Sequence, residues 1–416
     1  MSRFDSITRA LRHRNYGIYT AGNAVSLIGT WMQRIAVGWL TWKLTESGAW
    51  LGAVAFADLF PSVFIGPIGG AVADRISRLK VIAVSQSLAA LQSVALFVLT
   101  WTDVITIEIL FALVLVNGIV MGFNQPSRLA LVPSLVPRAE LSTAVAINAI
   151  IFNLARFLGP ALAGLLIVWL GVASAFAANA LTFIAFLLAL AKIRLPADEV
   201  RHQAAGRSIF GDVGEGVRYV ARHPGIGPLL LLSLAVSVGV RPFVELLPGF
   251  AAEVFGRGAD GLAMLSSTIG IGAIVSGIWL AQRPETRGLG RFTLLAFGFV
   301  TVSILGFVAT DVFWLGLAAV ALAGVAMVMS GVGTQTLIQL TVEPDMRGRV
   351  MSLYGIIFRG GPAAGALVIG ALSELFGLRW PTAGAALLTL AVWAWIWRRR
   401  RQDIFAMEAG EAPPAR

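Results

Sequence analysis

Arg156-Phe-Leu-Gly159-Pro160-Ala-Leu-Ala-Gly164, in the first half of the chain, returns in the second as Arg359-Gly-Gly361-Pro362-Ala-Ala-Gly365. A second match, Gln125…Pro133 against Gln335…Pro344, stands upstream of each copy in the same order. Both offsets are about 200 residues, half of the 416-residue chain, as a duplicated unit requires. Each copy of the Gly-Pro element sits in an apolar block longer than about 20 residues, enough to cross a hydrocarbon core about 30 Å thick. Such a block must satisfy its own backbone hydrogen bonds in lipid, so each is read as a helix.

Working outward, apolar blocks lie near 16–44, 50–73, 81–101, 105–125, 141–170 and 172–191. A second set lies near 226–251, 262–282, 292–309, 312–335, 350–376 and 380–397. The expectation is an all-α integral membrane protein with about twelve transmembrane helices in two six-helix halves. Its parts are an N-terminal half over 1–193, a cytoplasmic linker over 194–225, a C-terminal half over 226–398 and a cytoplasmic tail over 399–416. In the linker, Ile209, Val213, Val217 and Val220 recur at helical spacing opposite Asp212, Glu215 and Arg218, which predicts an amphipathic helix on the membrane surface.

Composition agrees. The chain is 57% hydrophobic and 13% charged, about half the charge of an ordinary soluble protein. Its net charge of +10 would point to nucleic acid in a soluble chain. Here roughly 25 of the 32 Lys and Arg residues fall on one set of alternate loops and termini, the positive-inside asymmetry of a membrane protein. That places both termini in the cytoplasm and the chain in the cell inner membrane, with no role for nucleic acid. The basic segment ahead of the first block lacks a cleavage site after a short apolar core, so that block is read as a retained span. With no cysteine and three histidines at no ligand spacing, no metal or cofactor is expected. The phosphate-binding pattern G-x-x-x-x-G-K-[ST] is absent.

At the inner end of the second block stands Gly70-Ala-Val-Ala-Asp74-Arg75-Ile-Ser-Arg78-Leu-Lys80. It resembles the GxxxDRxGRR loop signature of the major facilitator superfamily, departing from it at Ser77 and Leu79. The resemblance implies that Gly70, Asp74, Arg75 and Arg78 form a conformational latch, with the start of the eleventh span near Arg347 and Arg349 as its partner. The alternative is a solvated loop pair worth under about 1 kcal/mol. Gly159-Pro160…Gly164 resembles the GPxxG element of exporters in the superfamily. With Gly361, Pro362 and Gly365 it is read as a symmetric hinge, the alternative being ordinary membrane-helix glycine and proline. Asn15-Tyr16, Ser26-Leu-Ile-Gly29-Thr-Trp31-Met-Gln and Gln125-Pro126-Ser-Arg128 resemble the branch of enterobactin exporters, transmembrane secretion effectors and macrolide-efflux proteins.

Charges inside a membrane are costly, so each marks a functional candidate. Asp58, Glu245, Arg34, Arg156, Arg241 and Arg359 are the proton-coupling candidates. Arg34 is expected to pair with Asp58, and Arg241 with Glu245 four residues on. A carboxyl in an apolar site rises in pKa and an adjacent Arg lowers it again, which makes a proton switch. The alternative is a structural ion pair. Many proton antiporters of the superfamily carry Arg where this chain has Val114, four residues before Gly118. The resemblance places the substrate cavity on the first, fourth, seventh and tenth spans, with Asn23, Trp31, Asn117, Asn124, Gln125, Phe243 and Gln335 as candidates. The expected function is secondary active export of a small hydrophobic or siderophore-like molecule by alternating access. Protons and membrane lipid are the other expected partners, and the chain is expected to act as a monomer. Uptake or lysolipid movement by the same fold is the alternative, with an integral-membrane enzyme or a channel more distant.

Overall fold

The computed structural model describes residues 3–194, 209–282 and 288–409. Most of the predicted linker (195–208) and the end of the tail (410–416) lie outside the described residues, as do the side chains of Asp74, Ile209, Asp212 and Val213. The first half contains α1 (Arg3–Arg12), α2 (Arg14–Thr45), α3 (Gly48–Leu59), α4 (Pro61–Arg75), α5 (Arg78–Trp101), α6 (Ile107–Leu131), α7 (Leu141–Leu170) and α8 (Val172–Ala191). The linker contributes α9 (Ile209–Arg222). The second half contains α10 (Ile226–Gly239), α11 (Phe243–Gly249), α12 (Ala259–Ala281), α13 (Leu289–Ala309), α14 (Phe313–Thr341), α15 (Arg347–Phe376), α16 (Arg379–Arg399) and α17 (Arg401–Ala406).

Among the described residues, eleven segments are long and apolar enough to cross a membrane, α3 with α4 and α10 with α11 each counting as one. α2 has the length, at 32 residues, or about 48 Å at 1.5 Å per residue. Asn23, Gln33 and Arg34 in its middle make it more polar than the rest; by length and position it is the first span.

Two predicted spans are broken. The second breaks at Phe60, where Pro61 opens α4 and has no N–H to give. Ser62 Oγ donates to the Leu59 carbonyl at 2.7 Å across the break. The seventh ends its α10 segment at Gly239, restarts at Phe243 and passes into a π turn over Phe250–Val254. Pro242 and Pro248 sit in that stretch. By contrast, α7 and α15 run unbroken through Pro160 and Pro362. Both end on a glycine with positive φ, Gly171 at 82° and Gly377 at 69°, where a side chain would be strained. The repeat is therefore visible in the caps as well as in the sequence.

The chain divides into two compact units. The first comprises Met1–Glu46, Ala57–Ala205 and Arg257–Ser267; the second comprises Ser47–Phe56, Gly206–Gly256 and Thr268–Arg416. Each half of the chain thus lends a short segment to the other unit. The start of α3 belongs with α15, and the start of α12 with α7.

In the first unit α2, α5 and α8 are held together by buried amides. Gln33 Nε2 donates to Gln92 Oε1 at 2.9 Å, and Asn179 Nδ2 donates to Gln33 Oε1 at 2.8 Å. Ser93 Oγ also donates to Gln33 Oε1, and Thr182 Oγ1 to Asn179 Oδ1 at 2.9 Å. Lipid gives no hydrophobic force between helices, so bonds of this kind and close backbone approach do the holding. In the second unit the core is aromatic. Phe243, Phe250 and Phe255 pack around Phe307 with ring centroids 6.0, 5.1 and 5.6 Å away.

Candidate functional site

The first unit gathers Arg34, Asp58, Arg156 and Trp31. Arg34 Nη1 lies 3.9 Å from Asp58 Oδ2, both side chains about 30% exposed. Arg34 sits 5.5 Å from the centroid of the Trp31 ring and Arg156 5.8 Å from it, so one indole serves two guanidinium groups. Phe152 stands edge-on to Trp31 at 5.8 Å. α7 comes this close to α2 because a Cβ at Gly159 would run into Trp31 Cβ and the Ile28 carbonyl. On the predicted outer side of Gly159, a Cβ at Gly164 would meet Ala263, and Ser267 Oγ donates to the Phe157 carbonyl at 3.3 Å.

The second unit repeats the packing with different chemistry. Gly361 and Gly365 bring α15 against α10: a Cβ at either would strike Ser237 or Val238. In both halves the Gly-Pro element is a surface of close helix contact. Arg241 lies 3.9 Å from the Phe358 ring centroid and donates to the Phe358 carbonyl at 3.3 Å. Glu245 is half-buried on α11, while Arg359 is exposed and makes no ion pair among the described residues. Phe243, a cavity candidate, is 0% exposed and packs on Phe307. The break after Gly239 turns it into the aromatic core. Of the other cavity candidates, Asn23 and Asn124 are buried, Trp31 and Asn117 half-buried, and Gln125 and Gln335 exposed.

Around the predicted latch, Arg78 donates from Nη1 to the Ala130 carbonyl at 3.0 Å and to Ser134 Oγ at 3.1 Å, tying the loop to the end of α6. Arg75 is exposed, and nothing lies within 4 Å of a Cβ placed on Gly70. Arg349, expected as part of the latch partner, is held by Glu215 of α9 at 3.0 Å. That helix is seated on α15 with Gly216 against Arg349, while Val217 is 47% exposed. Its last turn carries Tyr219, and His223 follows directly after it. The hydroxyl of Tyr219 accepts from the Glu343 N–H at 3.4 Å. His223 Nδ1 accepts from the N–H groups of Gly225 and Ile226 at 3.2 and 3.1 Å, capping α10. Burial lowers the pKa of His223, and nearby Glu343 partly opposes that.

At the opposite end of α15, Glu374 accepts from Ser47 Oγ at 2.7 Å and from the Ala49 N–H at 3.0 Å. The carboxylate thereby caps the start of α3. Gly48, Gly52 and Gly370 let the two helices touch backbone to backbone.

Sequence reading missed the Gln33–Gln92–Asn179 network, the Glu374 cap, the His223 cap and the position of Arg128. The amides were legible as polar residues inside apolar blocks, but weight given to ionisable groups passed them over. Arg128 lies on α6, its guanidinium 4.9 Å from the Phe186 ring centroid.

Comparison with known proteins agrees with this architecture. The family described as transmembrane secretion effector matches residues 7–412. The staphyloferrin A transporter of Staphylococcus aureus (strain NCTC 8325 / PS 47) is 24% identical over 357 residues, 84% of this chain and 87% of the relative. An enterobactin exporter of Escherichia coli O1:K1 / APEC is 26% identical over 340 residues, 80% and 78% of the two chains. The crystal structure of a bacterial homologue of the iron transporter ferroportin superposes with a TM-score of 0.70 at 18% identity. It covers 93% of this chain and 99% of that one. The matching family and its structural neighbours are small-molecule transporters rather than enzymes, and this chain belongs to the transmembrane secretion effectors, as a multi-pass transporter of the major facilitator superfamily.

Proposed function

We propose that the protein exports a small hydrophobic or siderophore-like molecule across the inner membrane by alternating access, in exchange for protons. The observation that carries the coupling is the Arg34–Asp58 approach of 3.9 Å, with both groups still reached by solvent. A carboxylate paired with a guanidinium can trade that partner for a proton. Glu245, Arg156, Arg241 and Arg359 are the remaining proposed members of the coupling set. Asn23, Trp31, Asn117, Asn124, Gln125 and Gln335 are the proposed substrate contacts. The direction is supported by the exporter among the relatives.

Alternating access is proposed from the family to which the chain belongs, with Gly70, Asp74, Arg75 and Arg78 as the latch. The halves 1–193 and 226–398 are proposed to rock about a central site, with Gly159, Pro160, Gly164, Gly361, Pro362 and Gly365 as the hinge. The linker and both termini are proposed to be cytoplasmic, and the working unit a monomer.

The test uses a host without its own efflux pumps, expressing wild type or Asp58→Asn at matched membrane levels. Retention of labelled drugs and siderophores is followed with and without a protonophore. Wild type should lower retention of some compound, and the protonophore and Asp58→Asn should each abolish the effect. Normal export by Asp58→Asn would remove Asp58 from the coupling. Faster accumulation of a compound would reverse the direction.

A further inference from the structure

Arg128 stands apart from the other arginines of the helices. Its Nε and Nη2 are shut off from solvent and make no hydrogen bond. One turn earlier on α6, Asn124 is 0% exposed, and its Oδ1 and Nδ2 both lack a partner. Residues four apart share a face of a helix, so the two side chains open on one spot. On α2, which contacts α6, Asn23 Oδ1 is likewise buried and unsatisfied, while its Nδ2 donates to Asn148 Oδ1 at 3.3 Å. The wall is aromatic: Phe186 lies under the guanidinium, and Tyr19 packs edge-on to Phe186 at 5.8 Å.

Packing does not account for this arrangement. Taking the Nε and Nη2 groups of a guanidinium, or a whole amide, out of solvent without partners is costly, and helix contact alone would have been served by apolar residues. Arg34 has its acid and Arg241 its carbonyl. Around Arg128 the unmet groups are a planar fork of donors, an amide and an aromatic wall. A guanidinium fork matches a carboxylate or catecholate edge with two parallel bonds. We propose that Arg128 and Asn124, with Asn23 beside them, form a subsite that takes an anionic oxygen group of the transported molecule. Arg128 supplies the charge and the fork, Asn124 a further donor, and Phe186 and Tyr19 the flat apolar contact that an aryl acid favours. The inference rests on the transport reading above and names its substrate class as organic anions.

The purified full-length protein in detergent is heated with benzoate, phthalate or 2,3-dihydroxybenzoate, each against neutral benzamide, and unfolding is followed by tryptophan fluorescence. The anions should raise Tm and benzamide should not. Arg128→Gln should weaken the apparent affinity for benzoate at least about tenfold, as loss of a charge-assisted bond of 1.5–3 kcal/mol implies. Asn124→Asp places a carboxylate beside the arginine. It should raise Tm without ligand and abolish the response to anions, so the test survives if Arg128→Gln does not fold. Equal responses to benzoate and benzamide, or an anion response that persists in Asn124→Asp, would overturn the subsite. A third arm adds phosphatidylglycerol or phosphatidylcholine to the detergent. Arg128-dependent stabilisation by phosphatidylglycerol, with none by the soluble anions, would make this a headgroup site and also overturn it. Anion binding without export would sink the direction of transport alone; export without Arg128-dependent binding would sink the subsite alone.

Discussion

The two halves share a backbone plan and differ in what fills it. α7 meets α2 at Gly159 as α15 meets α10 at Gly361, and both long helices end on a glycine of positive φ. Inside that common frame the first unit is tied by amides, Gln33 to Gln92 and Asn179, and keeps Arg128 and Asn124 unsatisfied. The second is filled by phenylalanines around Phe307. Duplication thus fixed the contacts of backbone with backbone, where only glycine fits, and left the side-chain interior free to diverge.

Substitutions that remove one binder from each core test this contrast. Phe307→Ala should cost about 3–5 kcal/mol, because a large ring leaves a cavity that its neighbours cannot fill. Asn179→Leu should cost less, about 1–2 kcal/mol, since hydrogen bonds between membrane helices average well under 1 kcal/mol each. Thermal unfolding of the two variants in one detergent measures both. Equal losses, or a larger loss at Asn179, would mean that the amide network rather than packing is what holds this fold.

Much of this was legible in advance, for physical reasons. Apolar length gave the spans, and the Gly-Pro repeat gave the two halves, because lipid forces continuous helices and close contact forces small residues. The breaks at Phe60–Pro61 and after Gly239 were not foreseen. Proline inside a membrane helix is tolerated at Pro160 and Pro362 and interrupts it at Pro61 and near Pro242, and sequence alone does not say which. The place of Arg128 over the Phe186 ring of α8 depends on a contact far away in sequence, which the pattern of spans does not show.

A pH dependence should separate the linker from both cores. His223 Nδ1 can accept the two N–H bonds that cap α10 only while unprotonated, and burial lowers its pKa in the folded chain. The folded state therefore prefers the neutral ring. Its contribution is complete above the ordinary histidine value of about 6.5 and is lost as pH falls below it through the depressed folded pKa. His223→Ala should cost about 0.5–2 kcal/mol at pH 8, the range for losing a helix cap. The cost should shrink as pH falls below that ordinary value, because the neutral ring contributes less. A cost independent of pH would mean that the ring contributes by packing alone.

The smallest effect on stability is expected at Glu215, with a larger one on turnover. The ion pair with Arg349 is partly exposed, 55% at the glutamate and 22% at the arginine, and pairs of that kind are worth about 0–1 kcal/mol. Glu215→Gln should therefore barely move Tm. Arg349 belongs to the segment that the proposed latch would engage when the inner side closes, and a guanidinium already held by the linker helix is not available to it. Releasing Arg349 should favour the closed latch and change the transport rate, an effect that high salt should reproduce in wild type and not in the variant. A transport rate that is unaltered in Glu215→Gln, at low and high salt alike, would leave α9 as a passive strap.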